Sequence, residues 1–149
     1  MSFNDLGLSP ELLRALKPKS YPAPTPVQRE FIPVALTGQD IWVTAPTGSG
    51  KTVAYALPLI EHLTRSANPT PVLGRNTKAL QTLVLVPTRE LAIQIAGNME
   101  GLGYFTNVSS IAIYGGGDGN SFTTEKTALT SGVDIVVCTP GRMIAHLNM

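Results

Sequence analysis

Short apolar runs alternate along most of the chain with stretches in which apolar residues recur at helical spacing. The apolar runs predict buried strands at residues 41–44, 82–86, 110–114 and 133–138. Helix-start residues such as Thr, Ser and Pro open most of the stretches between them. The predicted helices cover residues 9–16, 25–36, 51–64, 89–99, 123–129 and 141–146. Residues 66–79 are rich in Asn, Pro, Thr and Gly, and predict a surface loop.

This alternation predicts an α/β domain with a mainly parallel sheet sandwiched by helices. The runs at residues 83–86 and 135–137 contain no polar side chain, which is typical of strands covered on both faces. Trp42 and Cys138 lie within predicted strands and are expected to pack in the core. Ligands of such sheets bind beyond the carboxyl ends of the strands, so functional residues are expected at that edge.

Composition excludes several classes of protein. The 149 residues suit one domain, and 11 basic against 10 acidic residues leave a net charge of +1, which gives no argument for a nucleic-acid partner. Cys138 is the only cysteine, which excludes an internal disulfide. The longest apolar run, residues 53–60, is far shorter than the about 20 residues of a membrane helix. The chain begins with no signal-peptide pattern, so a cytoplasmic protein without a membrane segment is expected.

Residues 45–52 read Ala-Pro-Thr-Gly-Ser-Gly-Lys-Thr, between a predicted strand and a predicted helix. This is the pattern of a phosphate-binding loop, with alanine in place of the usual first glycine. Gly48 and Gly50 lack a Cβ, so backbone N–H groups can close around phosphate oxygens at the helix N-terminus. Lys51 would reach the β- and γ-phosphates, and the Thr52 hydroxyl would ligate Mg²⁺. The competing interpretation is an ordinary glycine turn followed by a lysine.

Threonine residues stand at three further helix starts. Thr25 and Gln28 have the spacing of a capping box, which favours a structural role for both. Thr88 and Thr139 each follow a buried strand and lead into a helix that carries an arginine. Helix N-termini bind anions, so these two ends could hold successive phosphates of a polyanion. They could equally be ordinary caps beside solvated arginines.

Together these motifs resemble those of the N-terminal RecA-like domain of DEAD-box RNA helicases. Residues 21–28 are similar to the Q motif, 45–52 to motif I and 87–92 to motif Ia. Residues 115–116 are similar to the GG motif, and 139–142 to motif Ib. The motifs follow the family's order, and Pro-Thr-Arg-Glu-Leu-Ala with Thr-Pro-Gly-Arg is highly specific.

The resemblance implies a RecA-like P-loop fold that is incomplete at its C-terminus. Residues 1–149 would form the N-terminal part of the helicase ATP-binding domain, with the Q motif region at 1–29 and the P-loop to motif Ib at 41–142. Residues 1–16 are similar to the RhlE-type bacterial branch. No Asp-Glu-Ala-Asp sequence occurs in the chain, so the Walker B acid, the catalytic glutamate and the second RecA-like domain are expected to be absent.

The resemblance also implies a site for ATP and Mg²⁺. Gln28 would read the adenine edge, and Phe3 and Tyr21 would pack on or beside the base. Lys51 and Thr52 would act in catalysis, and Thr52 would also be the metal ligand. Further nucleotide contacts would come from Thr25, Ala45, Pro46, Thr47, Gly48, Ser49 and Gly50.

A second implied site would contact the sugar-phosphate backbone of RNA without choosing a sequence. Its members would be Pro87, Thr88, Arg89, Gly115, Gly116, Thr139, Pro140, Gly141 and Arg142. In the family, RNA-stimulated ATP hydrolysis is coupled to local unwinding of an RNA duplex. Because the Walker B acid and the second domain are missing, we expect this chain alone to hydrolyse no ATP.

Two alternatives stay open on sequence alone. The chain could be a non-catalytic module that binds nucleotide or RNA, or an unrelated P-loop ATPase or kinase. Neither His62 nor His146 has a partner at metal-ligand spacing, so no metal role is expected for them. A sheet that lacks a strand exposes an apolar edge, and such edges recruit other chains, so self-association is also predicted.

Overall fold

The computed structural model describes residues 1–66, 80–117 and 119–149. The described helices are α1 (Pro10–Leu16), α2 (Pro26–Leu36), α3 (Lys51–Arg65), α4 (Arg89–Leu102), α5 (Gly119–Ser131) and α6 (Pro140–Leu147). The strands are β1 (Thr82–Leu85), β2 (Ser110–Ile113) and β3 (Ile135–Cys138), and short 3-10 turns cover Phe3–Leu6 and Lys17–Lys19. These elements confirm all the predicted helices and three of the four predicted strands. Apart from residue 66, the predicted loop at 66–79 lies outside the described residues.

The chain divides into two compact units. The first unit contains residues 1–66 and 98–108, and holds α1, α2, α3 and the end of α4. The second contains residues 67–97 and 109–149, and its described part holds the start of α4, the strands, α5 and α6. Each unit has its own fully buried side chains. None of the described helices is both long and apolar enough to cross a membrane.

In the first unit, α2 packs against α3. Leu12, Ile32 and Leu57 are fully buried in this unit. Pro10 and Pro26 each occupy the first position of a helix, where the missing N–H removes no helical hydrogen bond. The local start signals read from the sequence therefore set where α1 and α2 begin.

A buried carboxylate ties the N-terminal segment to α3. Glu61 is 2% exposed, and its Oε2 accepts a hydrogen bond from the Ser9 N–H at 2.9 Å. Its Oε1 accepts one from Arg65 Nε at 2.8 Å, and Arg65 Nη2 donates to the Gly7 carbonyl at 2.9 Å. Because a buried charge needs partners, these bonds fix the turn that precedes α1.

The second unit contains a parallel sheet with strand order β1-β3-β2. This arrangement confirms the predicted α/β class. The central strand β3 is buried along its whole length. A core cluster against it consists of Ile113, Val133, Val136, Cys138 and Met143. Burial raises the pKa of the Cys138 thiol, so this side chain stays protonated near neutral pH.

The edge strand β1 differs from its prediction. Leu83 is 46% exposed and Leu85 is 60% exposed, whereas Thr82 and Val84 are half-buried. The strand therefore alternates between inner and outer positions, and the prediction of cover on both faces is wrong for β1 in the described structure. That prediction holds for β3. In the described part of the chain β1 pairs only with β3, so its outer edge has no strand partner there.

The strand predicted at residues 41–44 does not form. Trp42 is 93% exposed, so its predicted burial is wrong, while Cys138 is fully buried as predicted. A strand exists through its hydrogen bonds to a neighbour, and no described strand pairs with this segment. An apolar run thus indicates a tendency to be buried without showing that a partner is present.

Gly50 begins α3 in the left-handed conformation, with φ at +88°. A Cβ built on this residue would collide with Gln28 Nε2 and would lie 3.2 Å from Thr25 Oγ1. The position therefore requires glycine both for its backbone angle and for the space beside α2.

We expect Gly50→Ala to lower the free energy of unfolding by about 2 kcal/mol, because the alanine is strained and displaces Gln28. Gly97→Ala is the matched control: it lies within α4, and its Cβ would meet nothing within 4 Å. The control should leave stability unchanged or raise it by roughly 0.5–1 kcal/mol. Urea unfolding followed by circular dichroism measures both, and equal stability of the two variants would contradict the prediction.

Candidate functional site

The loop at residues 45–50 leads directly into α3 in the first unit. Gly48 and Gly50 have positive φ angles of +81° and +88°, so the loop uses the freedom of its glycines. The N–H groups at the start of a helix attract anions. Ser49 Oγ is buried and has no hydrogen-bond partner among the described residues. A phosphate oxygen at this loop would supply the missing acceptor, so the residues present fit a bound phosphate group.

The Lys51 side chain folds over this loop. Its Nζ donates to the carbonyl oxygen of Ala45 and, at 3.2 Å, to that of Pro46. The partners of the ammonium in the described structure are thus neutral carbonyl groups. An anion at the loop would offer this charge a stronger partner than either carbonyl.

Thr52 lies in the first turn of α3, next to Tyr55. Burial raises the pKa of Tyr55, and a side-chain hydrogen bond with Thr52 acts in the opposite direction. The phenol is therefore neutral at physiological pH and places no negative charge beside Thr52. Among the described residues, no group of three or more His, Cys, Asp or Glu side chains could hold a metal ion. A single hydroxyl such as that of Thr52 still suits Mg²⁺, which keeps waters and takes further ligands from phosphates.

Gln28 lies at the start of α2 and is 2% exposed. Its Oε1 accepts a hydrogen bond from the Thr25 N–H at 3.0 Å, which confirms the Gln28 half of the predicted capping box. Its Nε2 donates to the Gly50 carbonyl at 3.1 Å. The amide therefore connects the start of α2 to the phosphate loop. An amide has a second N–H and further acceptor capacity, so these bonds do not exhaust it.

Phe3 and Tyr21, the two aromatic residues predicted to pack beside the base, lie close together. The rings of Phe3 and Tyr21 have centroids 6.4 Å apart and planes tilted by 50°. Phe3 is 8% exposed, whereas Tyr21 is 40% exposed. Of the two rings, Tyr21 is thus the one that presents a surface to a ligand, and Phe3 supports it from the core.

The turns predicted to contact RNA follow the ends of the strands in the second unit. Hydrogen bonds of 3.0 Å run from the Val86 N–H to the Cys138 carbonyl and from the Thr139 N–H to the Ile113 carbonyl. They join neighbouring strands at their carboxyl ends. The parallel order therefore places the turns after β1, β2 and β3 along one edge of the sheet.

Arg89 and Gly116 meet at this edge. A Cβ on Gly116 would lie 2.5 Å from Arg89 Nη1, and Gly116 has φ at +91°. The Arg89 side chain is 56% exposed, and its 3.1 Å ion pair with the exposed Glu90 restrains it little. Thr88 Oγ1 accepts a hydrogen bond from the Leu91 N–H at 3.3 Å, so Thr88 caps α4 as predicted.

Arg142 is enclosed rather than solvated. Its side chain is 15% exposed, and Nε donates to Glu125 Oε2 at 2.8 Å. His146 Nε2 lies 2.7 Å from the same oxygen. The interpretation of both arginines as solvated is therefore wrong for Arg142 and correct for Arg89. Thr139 occupies the cap position of α6 but makes no capping hydrogen bond through its side chain.

The predicted nucleotide residues lie in the first unit, and the predicted RNA residues lie in the second. The sequence motifs do not mark Tyr55, Glu125 or His146 as neighbours of these sites. Tyr55 has a local signal, because residues three apart share a helix face. Glu125 and His146 have none, because their contact depends on how α5 packs against α6.

Comparisons with known proteins agree with the motifs. The model of the DEAD/DEAH box helicase family matches residues 25–149. The "DEAD-box ATP-dependent RNA helicase 28" of Oryza sativa subsp. japonica is 46% identical over 147 residues, which cover 99% of this chain and 17% of that protein. The "Probable ATP-dependent RNA helicase DDX27" of Homo sapiens is 42% identical over 148 residues, covering 99% and 18%. The chain thus spans less than a fifth of these relatives.

Solved structures show the same fold. A DEAD box protein from Methanococcus jannaschii matches with a TM-score of 0.81 and 38% identity, over 99% of this chain and 37% of that one. A hypothetical ATP-dependent RNA helicase from Sulfolobus tokodaii matches with a TM-score of 0.77 and 30% identity, over 95% and 37%. The RecA-like class is confirmed, whereas the cited relatives are eukaryotic or archaeal and do not support the bacterial, RhlE-type resemblance. The family model covers the phosphate loop, Gln28 and all three strand-end turns, and the chain belongs to the DEAD/DEAH box helicase family.

Proposed function

We propose that the chain is the nucleotide-binding N-terminal part of an ATP-dependent RNA helicase. The observation that carries this proposal is the hydrogen bond from Gln28 Nε2 to the Gly50 carbonyl. A residue that only capped α2 would need no contact with the phosphate loop. Membership of the family and the names of the relatives support the same function.

ATP and Mg²⁺ would be held by the first unit. Gln28 would select adenine through its remaining hydrogen-bonding capacity, and Tyr21, supported by Phe3, would pack beside the base. Lys51 would neutralise phosphate charge, and the Thr52 hydroxyl would ligate Mg²⁺. The loop residues 45–50 and Thr25 would complete the contacts. Bound ATP supplies a phosphoryl group whose transfer depends on positioning and charge neutralisation.

RNA would be bound along the edge formed by residues 87–89, 115–116 and 139–142 in the second unit. Contacts to the sugar-phosphate backbone give affinity without sequence preference. We propose RNA as the partner of this edge and the cytoplasm as the location of the protein. Unwinding would further require a second RecA-like domain beyond these residues.

A non-catalytic module that binds nucleotide or RNA is the second candidate function. The positive φ angles of Gly48 and Gly50 and the buried Ser49 Oγ suit a bound phosphate, which by itself needs no Asp-Glu-Ala-Asp sequence. RNA-stimulated ATP turnover by a protein that continues into such a sequence would favour the helicase instead.

Gln28→Ala should reduce the preference for ATP over GTP by about tenfold or more, because a site built to hydrogen-bond a base loses its discrimination. Competition of ATP and GTP against a fluorescent adenine nucleotide measures the preference. The matched control is Gln94→Ala, an exposed amide on α4 that should leave it unchanged. An unaltered preference in Gln28→Ala would remove the role of Gln28 in adenine recognition.

The purified 149-residue chain should show no ATP turnover, with or without RNA, while it retains weak ATP binding. Phosphoryl transfer needs a second anchor for Mg²⁺ and a group that orients water, and the chain has no Asp-Glu-Ala-Asp sequence to supply them. Phosphate release assays with single-stranded RNA test this, and Lys51→Ala controls for contaminating activity. Turnover that responds to RNA and is lost in Lys51→Ala would contradict the prediction.

Self-association through β1 is proposed, because its outer edge is unpaired in the described structure and Leu85 is 60% exposed. Light scattering should show dimers or larger species, and Leu85→Lys should convert them to monomer. Leu147→Lys, at a 73% exposed position on α6, is the matched control and should not dissociate them. A monodisperse wild-type monomer would exclude association at this edge.

A further inference from the structure

Glu61 is a buried carboxylate of the first unit that makes none of the proposed nucleotide contacts. It lies on α3, roughly 15 Å along the helix axis from Lys51 at a rise of about 1.5 Å per residue, so it touches no phosphate held by the loop. The side chain is 2% exposed, and a charge buried to this degree needs partners. Those partners show which part of the structure the carboxylate holds.

The carboxylate of Glu61 fastens the N-terminal segment to α3 by two routes. Its Oε2 accepts a hydrogen bond from the Ser9 N–H at 2.9 Å, and its Oε1 accepts one from Arg65 Nε at 2.8 Å. The same guanidinium donates through Nη2 to the Gly7 carbonyl at 2.9 Å. Both routes therefore end on one short stretch of backbone. The planar fork of an arginine suits such a bridge, because its donors are held in fixed directions.

That stretch of backbone follows directly on the 3-10 turn that carries Phe3. Gly7 caps this turn in the left-handed conformation, with φ at +81°. The start of the turn is closed locally, because the Ser2 N–H donates to Asp5 Oδ2 at 2.7 Å. The turn is thus held at its start by its own residues, and its end is held on α3 through the buried carboxylate.

Phe3 carries this anchoring to Tyr21. Their ring centroids are 6.4 Å apart, and within the described residues no other aromatic ring contacts Tyr21. Tyr21 precedes α2 on a segment without secondary structure, so no helical hydrogen bond holds its backbone. The position of the exposed ring therefore depends on the buried ring behind it. A displaced Phe3 would leave Tyr21 without support where the base is expected to pack.

The negative charge of Glu61 is needed for the route through Arg65. The Arg65 side chain is 56% exposed, so its guanidinium can leave the Gly7 carbonyl for water at little cost once no carboxylate attracts it. Glu61→Gln keeps an oxygen that can accept from the Ser9 N–H, but it has no charge to hold the guanidinium. We therefore expect this substitution to release the end of the turn while the first unit stays folded.

We propose that Glu61 is a positioning residue of the adenine site, which anchors the N-terminal turn on α3 so that Phe3 supports Tyr21 beside the base. The inference rests on the proposed binding of ATP by the first unit. It gives α3, the helix that begins at the phosphate loop, a second task in nucleotide binding that does not involve the phosphates.

Calorimetric titration of the 149-residue chain with ATP and with inorganic tripolyphosphate, both with Mg²⁺, tests this proposal. Tripolyphosphate can engage the phosphate loop but has no base, so the difference between the two affinities measures the base contacts. Glu61→Gln should weaken ATP binding about fivefold, the order expected for the loss of one aromatic contact, and leave tripolyphosphate binding unchanged. Arg65→Lys keeps the buried carboxylate paired but loses the planar fork, so it should show the same selective loss.

A double variant separates positioning from a general loosening of the fold. Tyr21→Ala should also weaken binding of ATP and leave binding of tripolyphosphate unchanged. If Glu61 acts through Tyr21, the double variant of Glu61→Gln with Tyr21→Ala should bind ATP no more weakly than Tyr21→Ala does. Additive losses would mean that Glu61 does not act through this ring, and would overturn the proposal.

The matched control is Glu125→Gln. Glu125 is also a buried carboxylate paired with an arginine at 2.8 Å, but it lies in the second unit. This control should lower the unfolding temperature and leave the affinities for both ligands unchanged. Thermal unfolding followed by circular dichroism establishes that each variant is folded at the temperature of the titration.

Two results would overturn the inference and leave the proposed function intact. One is a folded Glu61→Gln variant that binds ATP as tightly as the wild type does. The other is an equal loss of affinity for ATP and for tripolyphosphate, which would assign Glu61 a general structural role. A folded wild-type chain that binds neither ligand would instead overturn the proposed nucleotide binding itself.

Discussion

The amide of Gln28 is the constraint on which the first unit depends. At 2% exposure its oxygen and nitrogen both need partners, and they find them in the Thr25 N–H and the Gly50 carbonyl. The start of α2 and the start of α3 are thereby fixed to each other. Gly50 must be a glycine for this contact to form, and Lys51 and Thr52 then follow in the first turn of α3. The chemistry expected of the phosphate loop is thus built on one side-chain bridge.

The second unit depends on the central strand β3. Because β1 and β2 both pair with it in parallel, the turns after all three strands share one edge. That edge carries two arginines in opposite environments. Arg89 is exposed beside Gly116, whereas the Arg142 side chain forms an ion pair with Glu125 on α5. Two arginines at the same edge of the sheet thus differ in how much of the side chain is exposed, 56% for Arg89 and 15% for Arg142.

The described residues leave some apolar groups without cover. Trp42 is 93% exposed on a segment without secondary structure, and Leu83 and Leu85 are exposed on an edge strand. Exposed apolar groups beside unpaired backbone favour association with another strand. The relatives of this chain are several times longer, and such surfaces are where additional chain or a second copy would gain most from packing.

The sequence by itself determined the helices, most of the strands and the motifs at the strand ends, because these depend on local signals. Pro10 and Pro26 mark helix starts, and the run at residues 135–138 marks a strand that is fully buried. Only the tertiary structure decided whether a predicted strand has a neighbouring strand to pair with. Residues 41–44 have the composition of a buried strand, yet no described strand pairs with them. The tertiary structure also decided that Arg142 contacts Glu125. These two residues are far apart in sequence and meet only because their helices pack, so no local sequence pattern predicts the contact.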